Sequence, residues 1–300
     1  MGERPVADNL SRFYIIMREM KRGAILIILL ILNIFIWPLA LRAKEPVLKV
    51  AFLDVGQGDA IYIEAPNGNQ VLIDGGRDRR VLRPLGEVMP WDDKTLDLII
   101  ATHPDADHIG GLPAVLERYE VAGVIHNGDT ATTQTYRTLV ADMKEEEDTG
   151  AKVMLATRGT KINLSEEVYL EVLWPLSGTT PGDTNDYSVI VYLTDGVRDF
   201  ILTGDAPVAA ENYLTTHDGE LIDIDVLKAG HHGSRTSSAL AFLAASTPLY
   251  AIISAGADNN YGHPHAEVLS RLTNIGANIL QTSQEGTIIC ESSVKQLICE

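Results

Sequence analysis

Cysteine is scarce. Only Cys290 and Cys299 occur in 300 residues, and neither belongs to a C-x-x-C pair. A thiolate metal site of the zinc-finger type is thereby excluded. An exported domain would permit a disulfide between the two. However, a tight turn at Ser292-Ser293 sets Cys290 opposite Lys295, so two packed, unpaired thiols are expected. Basic charge is scarce as well. Of 24 Lys/Arg and 41 Asp/Glu, seven and four fall in residues 1–45, which leaves a balance of −20 on the remainder. A field of that sign repels polyanions at long range and leaves no basic nucleic-acid footprint. Close repeats and linker-like stretches are missing too, so residues 47–300 read as one domain. With 45% hydrophobic and 22% charged residues, the chain has the composition of a folded protein.

One long apolar run is present. Residues 24–41, AILIILLILNIFIWPLAL, contain Asn33 as their single strongly polar member. At ~1.5 Å per residue they reach roughly 27 Å, the thickness of a bilayer core. Arg4, Arg12, Arg18, Lys21 and Arg22 precede the run, and only Arg42 and Lys44 follow closely. This bias predicts a cytoplasmic segment over 1–23, a transmembrane anchor over 24–43 and a domain facing outwards from a single-pass cell-membrane protein. A cleaved signal peptide is the competing reading. The n-region of more than twenty residues and the missing small-x-small site favour a retained anchor.

From Leu48 onwards short alternating strands are broken by glycine turns. LKVAFLDV, AIYIEA, QVLIDGG and LDLIIATH form a first strand group, followed by helices over 109–120 and 133–147. VYLEVLWP, SVIVYLTDG, VRDFILTGD, DIDVLKAG and LYAIISAG form a second group, with helices over 206–217, 237–247 and 265–276 among them. NILQT, GTIIC and VKQLIC close the chain. Two strand-rich halves with their own helices predict two sheets packed face to face, an αββα sandwich of the α/β class.

Polar groups with metal-binding chemistry sit at the ends of these strands. His103, Asp105, Asp107 and His108 follow LDLIIAT directly, so a rigid strand end can aim all four at one point. Imidazole nitrogens and carboxylate oxygens are ordinary ligands of zinc, manganese or iron. A turn rich in Asp and Pro would explain one such loop. It does not explain why FILTGD ends in Asp205, DVLKAGHHGS in His231 and His232, and a third strand leads to His263. His126 and His217 lack such company and are assigned to packing and surface.

The motifs HPDADHIGG (103–111), LTGDA (202–206) and GHHGS (230–234), in this order, resemble the metal motifs of the metallo-β-lactamase superfamily. FLDVGQGDA, VLIDGG, NDYSVIV and NNYGHP narrow the resemblance to the hydrolase domain of the ComEC family of competence DNA-uptake channels, over about residues 48–282. The resemblance implies two divalent ions, zinc or manganese. His103 and Asp105 would bind the first, Asp107, His108 and His231 the second, and Asp205 would bridge them. Asp105 stands where the wider superfamily has histidine, and Asn185-Asp186-Tyr187-Ser188 contains none. The first site is therefore oxygen-rich, which shifts the choice towards manganese and leaves occupancy open. Asp107 would also orient the attacking water, and His263 would stabilise an oxyanion or protonate the leaving group. His232, Ser234 and Asn260 are candidate phosphate contacts, with capping and turn formation as their plain alternative. Asp54, Asp59 and Asp74 read as orienting or turn residues rather than ligands.

The resulting expectation is a membrane-anchored phosphodiesterase or nuclease, with DNA or another phosphodiester as substrate and a separate membrane channel protein as a possible partner. Two other readings remain. One is a hydrolase of a small or cell-surface phosphoester; the other is a non-catalytic envelope binding module with a degenerate metal site.

Overall fold

Period-two alternation builds the centre of the molecule, because successive side chains of a strand point to opposite faces. A computed structural model describes residues 17–21, 23–25, 27–32, 47–178 and 182–300. It divides into two compact units, Met1–Pro46 and Val47–Glu300. In the first unit the described residues 17–21, 23–25 and 27–32 are helical. Among the described residues no helix is long and apolar enough to cross a membrane. Of the anchor predicted over 24–43, residue 26 and residues 33–43 lie outside the described residues.

The first half of the second unit holds β1 (Leu48–Phe52), β2 (Ile61–Glu64), β3 (Gln70–Ile73), β4 (Thr95–Leu96), β5 (Leu98–Ala101), β6 (Glu120–Val121), β7 (Gly123–His126) and β8 (Lys152–Leu155). The second half holds β9 (Lys161–Asn163), β10 (Tyr169–Trp174), β11 (Ile190–Thr194), β12 (Asp199–Leu202), β13 (Val226–Lys228), β14 (Tyr250–Ile253) and β15 (Asn278–Gln281). It ends with β16 (Ile288–Ser292) and β17 (Leu297–Cys299). One sheet runs β17-β16-β1-β2-β3-β5-β7-β8 and the other β15-β14-β13-β12-β11-β10-β9.

Alternate residues sort into three cores. Val50, Phe52, Ile63 and Ile73 of the first sheet meet Val172, Val191, Phe200 and Leu202 of the second between the sheets. Their neighbours Tyr62, Leu72 and Ile99 face outwards onto helices 82–88, 112–118 and 134–149. Ile190, Ile201 and Leu227 likewise meet helices 208–217, 240–246 and 266–274. Four layers result, the αββα sandwich expected from the sequence. The strands β8 and β9 are sheet edges with no fully buried residue. In both sheets a parallel set is present, β3-β5-β7-β8 and β12-β13-β14-β15, whose carboxyl ends lead into the polar loops. Loops at the carboxyl ends of parallel strands are where such sheets carry sites.

The two last strands correct the expectation for the cysteines. β16 returns to the first sheet and pairs with β1, Leu48 opposite Ser292. Ser293 N–H donates to Gln296 O at 2.9 Å, which centres the hairpin on Val294-Lys295, beyond Ser292-Ser293. A turn moved by two residues moves the cross-strand partner by four, so Cys290 faces Cys299 and not Lys295. The two form a disulfide, where free thiols were expected. Closing so short a loop is worth about 2–3 kcal/mol in the chain-entropy account. Reduction is therefore expected to lower the urea midpoint of the protein by a corresponding amount; an unchanged midpoint would contradict it.

Glu211, buried in helix 208–217, ties that helix to the loop that follows the Gly230–Gly233 turn. Its two oxygens accept from Ser238 N–H and Ala239 N–H, both at 2.7 Å. Burial pushes its carboxyl up to about 7 from 4.5, against the pull of those two amides and Arg271. A raised folded pKa stabilises the fold below 4.5, and that stability is lost as pH climbs through 7. The wild type is expected to lose on the order of 3 kcal/mol relative to Glu211→Gln over this window. Parallel pH–stability curves for the two proteins would refute it.

Candidate metal centre

The centre is assembled from strand ends of both sheets. β3 leads into Asp74, which adopts φ 59° and turns its carboxylate across to the neighbouring strand end. That carboxylate accepts from Thr102 N–H at 2.8 Å, Thr102 Oγ1 at 2.6 Å and His108 Nδ1 at 2.7 Å. A carboxylate on the far nitrogen fixes the tautomer and the ring plane of a ligating histidine. His108 Nε2 is thereby aimed inwards.

The HPDADH turn holds its shape through close backbone approach. A Cβ on Gly111 would lie 2.0 Å from Gly75 O, and one on Gly58 (φ +128°) would lie 2.0 Å from Asp107 O. Only glycine fits at either position. Asp59 N–H then donates to Asp107 O at 3.2 Å, stitching the loop after β1 to the turn.

Two more imidazoles have the same arrangement. His103 Nδ1 meets Thr102 Oγ1 at 3.0 Å and Ser188 Oγ at 3.4 Å. His232 Nδ1 donates to Ser254 O at 2.9 Å. Each of the three rings has its Nδ1 engaged, and each Nε2 is buried without a hydrogen-bond partner, as is Asp205 Oδ1. Buried polar atoms left in this way signal a missing partner. Asp205 Oδ2 stands 3.3 Å from His108 Nε2, 3.4 Å from His232 Nε2 and 3.6 Å from His231 Nε2. Asp59, His108, Asp205 and His232 each offer a ligand atom within 4.8 Å of the others. The donor set of imidazole nitrogens and carboxylate oxygens fits a divalent metal ion.

Charge supports the same reading. Burial opposes ionisation of Asp205, yet His232, His108 and Lys228 hold its pKa well below the carboxylate range. Burial opposes charge on His232 as well, and Asp205 and Asp59 still raise it to about 9. His108 is likewise held well above the imidazole range by Asp205 and Asp74, against burial. The carboxylates thus attract positive charge to the two imidazoles, and a metal ion competes with those protons for the same lone pairs.

The residues expected from the sequence take different places. His103, Asp107, His108 and Asp205 come together. Asp107 Oδ2 lies 3.6 Å from His232 Nε2 and is half-buried at the opening. Asp105 stands at the edge, 3.8 Å from His103 Nε2, and accepts from Thr184 Oγ1 at 2.9 Å. His231, expected as a ligand, lies half-buried with its Nδ1 3.1 Å from Thr236 Oγ1. His232, expected at the substrate, is the more deeply buried of the pair and joins the cluster. Ser234 is buried and accepts from Thr236 Oγ1 at 3.0 Å, a turn contact. Asn260 is exposed, and its neighbour Asn259 shapes the loop instead. Asn259 Oδ1 accepts from His263 N–H at 2.9 Å, and Nδ2 donates to His263 O at 2.6 Å. The His263 ring lies 5.6 Å from that of His231, and burial together with His232 and His231 lowers its pKa to about 4.

Two residues of the cluster lie outside the ligand set expected from the sequence. Asp59, taken for an orienting or turn residue, sits inside the cluster. Lys228, hidden in the apolar run DVLKAG, is fully buried and ion-paired with Asp59. Its Nζ also donates to Gly204 O at 3.0 Å and lies 3.9 Å from Asp205 Oδ1. Burial resists charge on Asp59, but Lys228, His232 and His108 outweigh it and bring the pKa to about 2.

Comparison with known proteins places this geometry in a family. The model of the family described as "Metallo-beta-lactamase superfamily" matches residues 53–257. The chain is 33% identical over 273 residues to ComE operon protein 3 of Bacillus subtilis (strain 168), covering 85% of this chain and 34% of that protein. It is 30% identical over 252 residues to Recombination protein 2 of Haemophilus influenzae, covering 82% and 29%. The chain thus spans about a third of the length of the curated relatives it matches. Igni18, a metallo hydrolase from Ignicoccus hospitalis, shares the fold with a TM-score of 0.54 at 15% identity, over 82% of this chain and 100% of that one.

Proposed function

The chain belongs to the metallo-β-lactamase superfamily, and from that premise we propose that it is a metal-dependent phosphodiesterase or nuclease working outside the cell membrane. The observation that carries the reading is the convergence of two buried, unpartnered imidazole nitrogens, His108 Nε2 and His232 Nε2, on Asp205. The similarity to ComE operon protein 3 and Recombination protein 2 supports a phosphodiester as the substrate class. His103, His108, His232 and Asp205 would hold divalent metal, zinc or manganese, with Asp107, Asp105 and His231 flanking it. Metal held there supplies Lewis-acid polarisation and water that ionises near neutral pH.

The protein's own groups do the rest. Asp107, at the opening, orients the attacking water by accepting its hydrogen bond. Asp74 and Thr102 keep the His108 and His103 rings from turning. His263, its backbone clamped by Asn259, offers a ring N–H to the oxyanion that develops on the opposite side. Without bound cations this carboxylate-rich centre would repel a phosphodiester, so turnover depends on metal.

The anchor over 24–43, the outward orientation and a separate channel protein as partner belong to the same proposal. The −20 balance beyond residue 45 favours a second reading, hydrolysis of a small or cell-surface phosphoester. The full chain with manganese or zinc is expected to hydrolyse bis-p-nitrophenyl phosphate, and EDTA to abolish it. Cleavage of small esters but no oligonucleotide would favour the second reading. No turnover with any divalent ion, together with less than one bound metal, would leave a non-catalytic module.

A further inference from the structure

Three stretches of the second sheet reach the metal centre, and they are joined again behind it at a buried peptide. Glu211 lies six residues after Asp205, Ser238 six after His232 and Arg271 eight after His263. The peptide at Ser238 is held from both sides. Its N–H and that of Ala239 donate to the Glu211 carboxylate, and its carbonyl accepts from Arg271 Nη1 at 3.0 Å. Arg271 is ion-paired in turn with Glu267 of its own helix, 266–274.

Ser238 does not keep this conformation through its own side chain. It adopts φ 60°, the left-handed region that is unfavourable for any residue with a Cβ, and its buried hydroxyl has no hydrogen-bond partner. A strained residue persists only where its surroundings over-determine it. Here the surroundings are Glu211 and Arg271.

The strained residue is coupled closely to the imidazoles. Ser237 Oγ donates to Ala206 O at 2.7 Å, Val208 N–H to Thr236 O at 3.0 Å and His265 N–H to Gly233 O at 3.0 Å. Thr236 Oγ1 meets His231 Nδ1 at 3.1 Å. A Cβ on Gly230 would lie 2.8 Å from Ser237 Cβ, and one on Gly233 2.6 Å from Pro264 Cβ. Packing as close as this leaves no slack to absorb a shift of Ser238 before it reaches His231 and His232.

We propose that Glu211 and Arg271 are positioning residues of the metal centre: they grip one peptide from opposite sides, hold Ser238 left-handed, and so set the GHHGS turn against Asp205 on one flank and His263 on the other. Both act through the turn. The inference rests on the metal-dependent reading of the site and adds what keeps its groups in register. It requires both oxygens of Glu211, because an amide in their place keeps one acceptor and turns a donor towards the second N–H.

Glu211→Gln in the full chain is expected to weaken manganese binding about 10- to 100-fold, the scale of losing a group that orients a metal ligand. At saturating manganese it should lower kcat for bis-p-nitrophenyl phosphate and leave KM within twofold. At about pH 8 the wild type carries the buried charge and the variant does not, so the variant's fold is not expected to weaken with its affinity. Circular dichroism and urea unfolding check this. Adding Ser238→Gly should return most of the lost affinity, since glycine is left-handed without strain and the missing hydroxyl gives up no hydrogen bond. Arg271→Met releases the same peptide from its other side and should weaken manganese about 3- to 10-fold. It decides the matter if Glu211→Gln does not fold. Manganese affinity within twofold of the wild type in the folded variants, or no recovery with Ser238→Gly, would overturn the assignment and leave Glu211 as packing for its helix. A wild type that binds manganese but turns over no diester would refute the proposed reaction, and the manganese titrations would still decide the positioning role. A wild type that binds no divalent ion would overturn both.

Discussion

Replacing Asp205 with asparagine is expected to cut phosphodiester turnover on the order of 10³-fold, the scale of removing a principal electrostatic contact from a reacting centre. It is also expected to empty the metal site. Among the described residues Asp205 is the one carboxylate within 4 Å of three imidazoles, at 3.3, 3.4 and 3.6 Å. Asparagine keeps its shape, and Ser188 Oγ still accepts the backbone N–H of residue 205 at 2.8 Å. What changes is charge: an amide neither attracts a cation nor balances His108, His232 and Lys228. Metal content by elemental analysis, with diester kinetics beside it, checks the result. A variant that keeps stoichiometric metal and more than a tenth of the turnover would contradict Asp205 as the hub. Unchanged circular dichroism separates lost metal from lost fold.

Asp205 was legible in the sequence for a physical reason. It follows a buried apolar strand, so one residue beyond FILTG leaves the sheet at the end where other strands also end. The same reasoning found His103, Asp107 and His108. It does not decide between two neighbours of one type, because a loop's φ/ψ and not its composition sets which points inwards. His231 and His232 both adopt positive φ, 49° and 54°, and no pattern in GHHGS tells which ring is buried. Asn259 and Asn260 pose the same problem. The layers were legible because the strands stand out either as alternating segments, such as LKVAF, or as short continuous apolar runs, such as LIIA, each group with its own helices. The disulfide was not, because register depends on the turn, and an error of two residues there reassigns every pair in the hairpin.

Lys228 is the case where the pattern misleads outright, and it carries the second large effect. In DVLKAG a lysine interrupts an apolar strand, which reads as an outward-facing position. It is instead fully buried, because Asp59, Asp205 and Gly204 O supply partners that water would otherwise supply. Lys228→Met is expected to destabilise the metal-free protein by about 3–5 kcal/mol, since it takes the ion-pair partner from the buried Asp59 and leaves only the more distant His232 and His108 to balance it. Adding Asp59→Asn to that variant removes the charge that has lost its partner and should restore part of the loss, the mark of direct coupling in a double-mutant cycle. Divalent metal should also restore part of it, because Asp59 already lies within reach of the ligand atoms of His108, His232 and Asp205 and can lend its oxygen to a cation. Urea unfolding of the four proteins, with and without manganese, measures all three terms. If Lys228→Met matches the wild type, or if Asp59→Asn worsens it, the lysine is not there to balance Asp59. If metal gives the same increment to both proteins, Asp59 stays outside the metal's coordination even when it is freed.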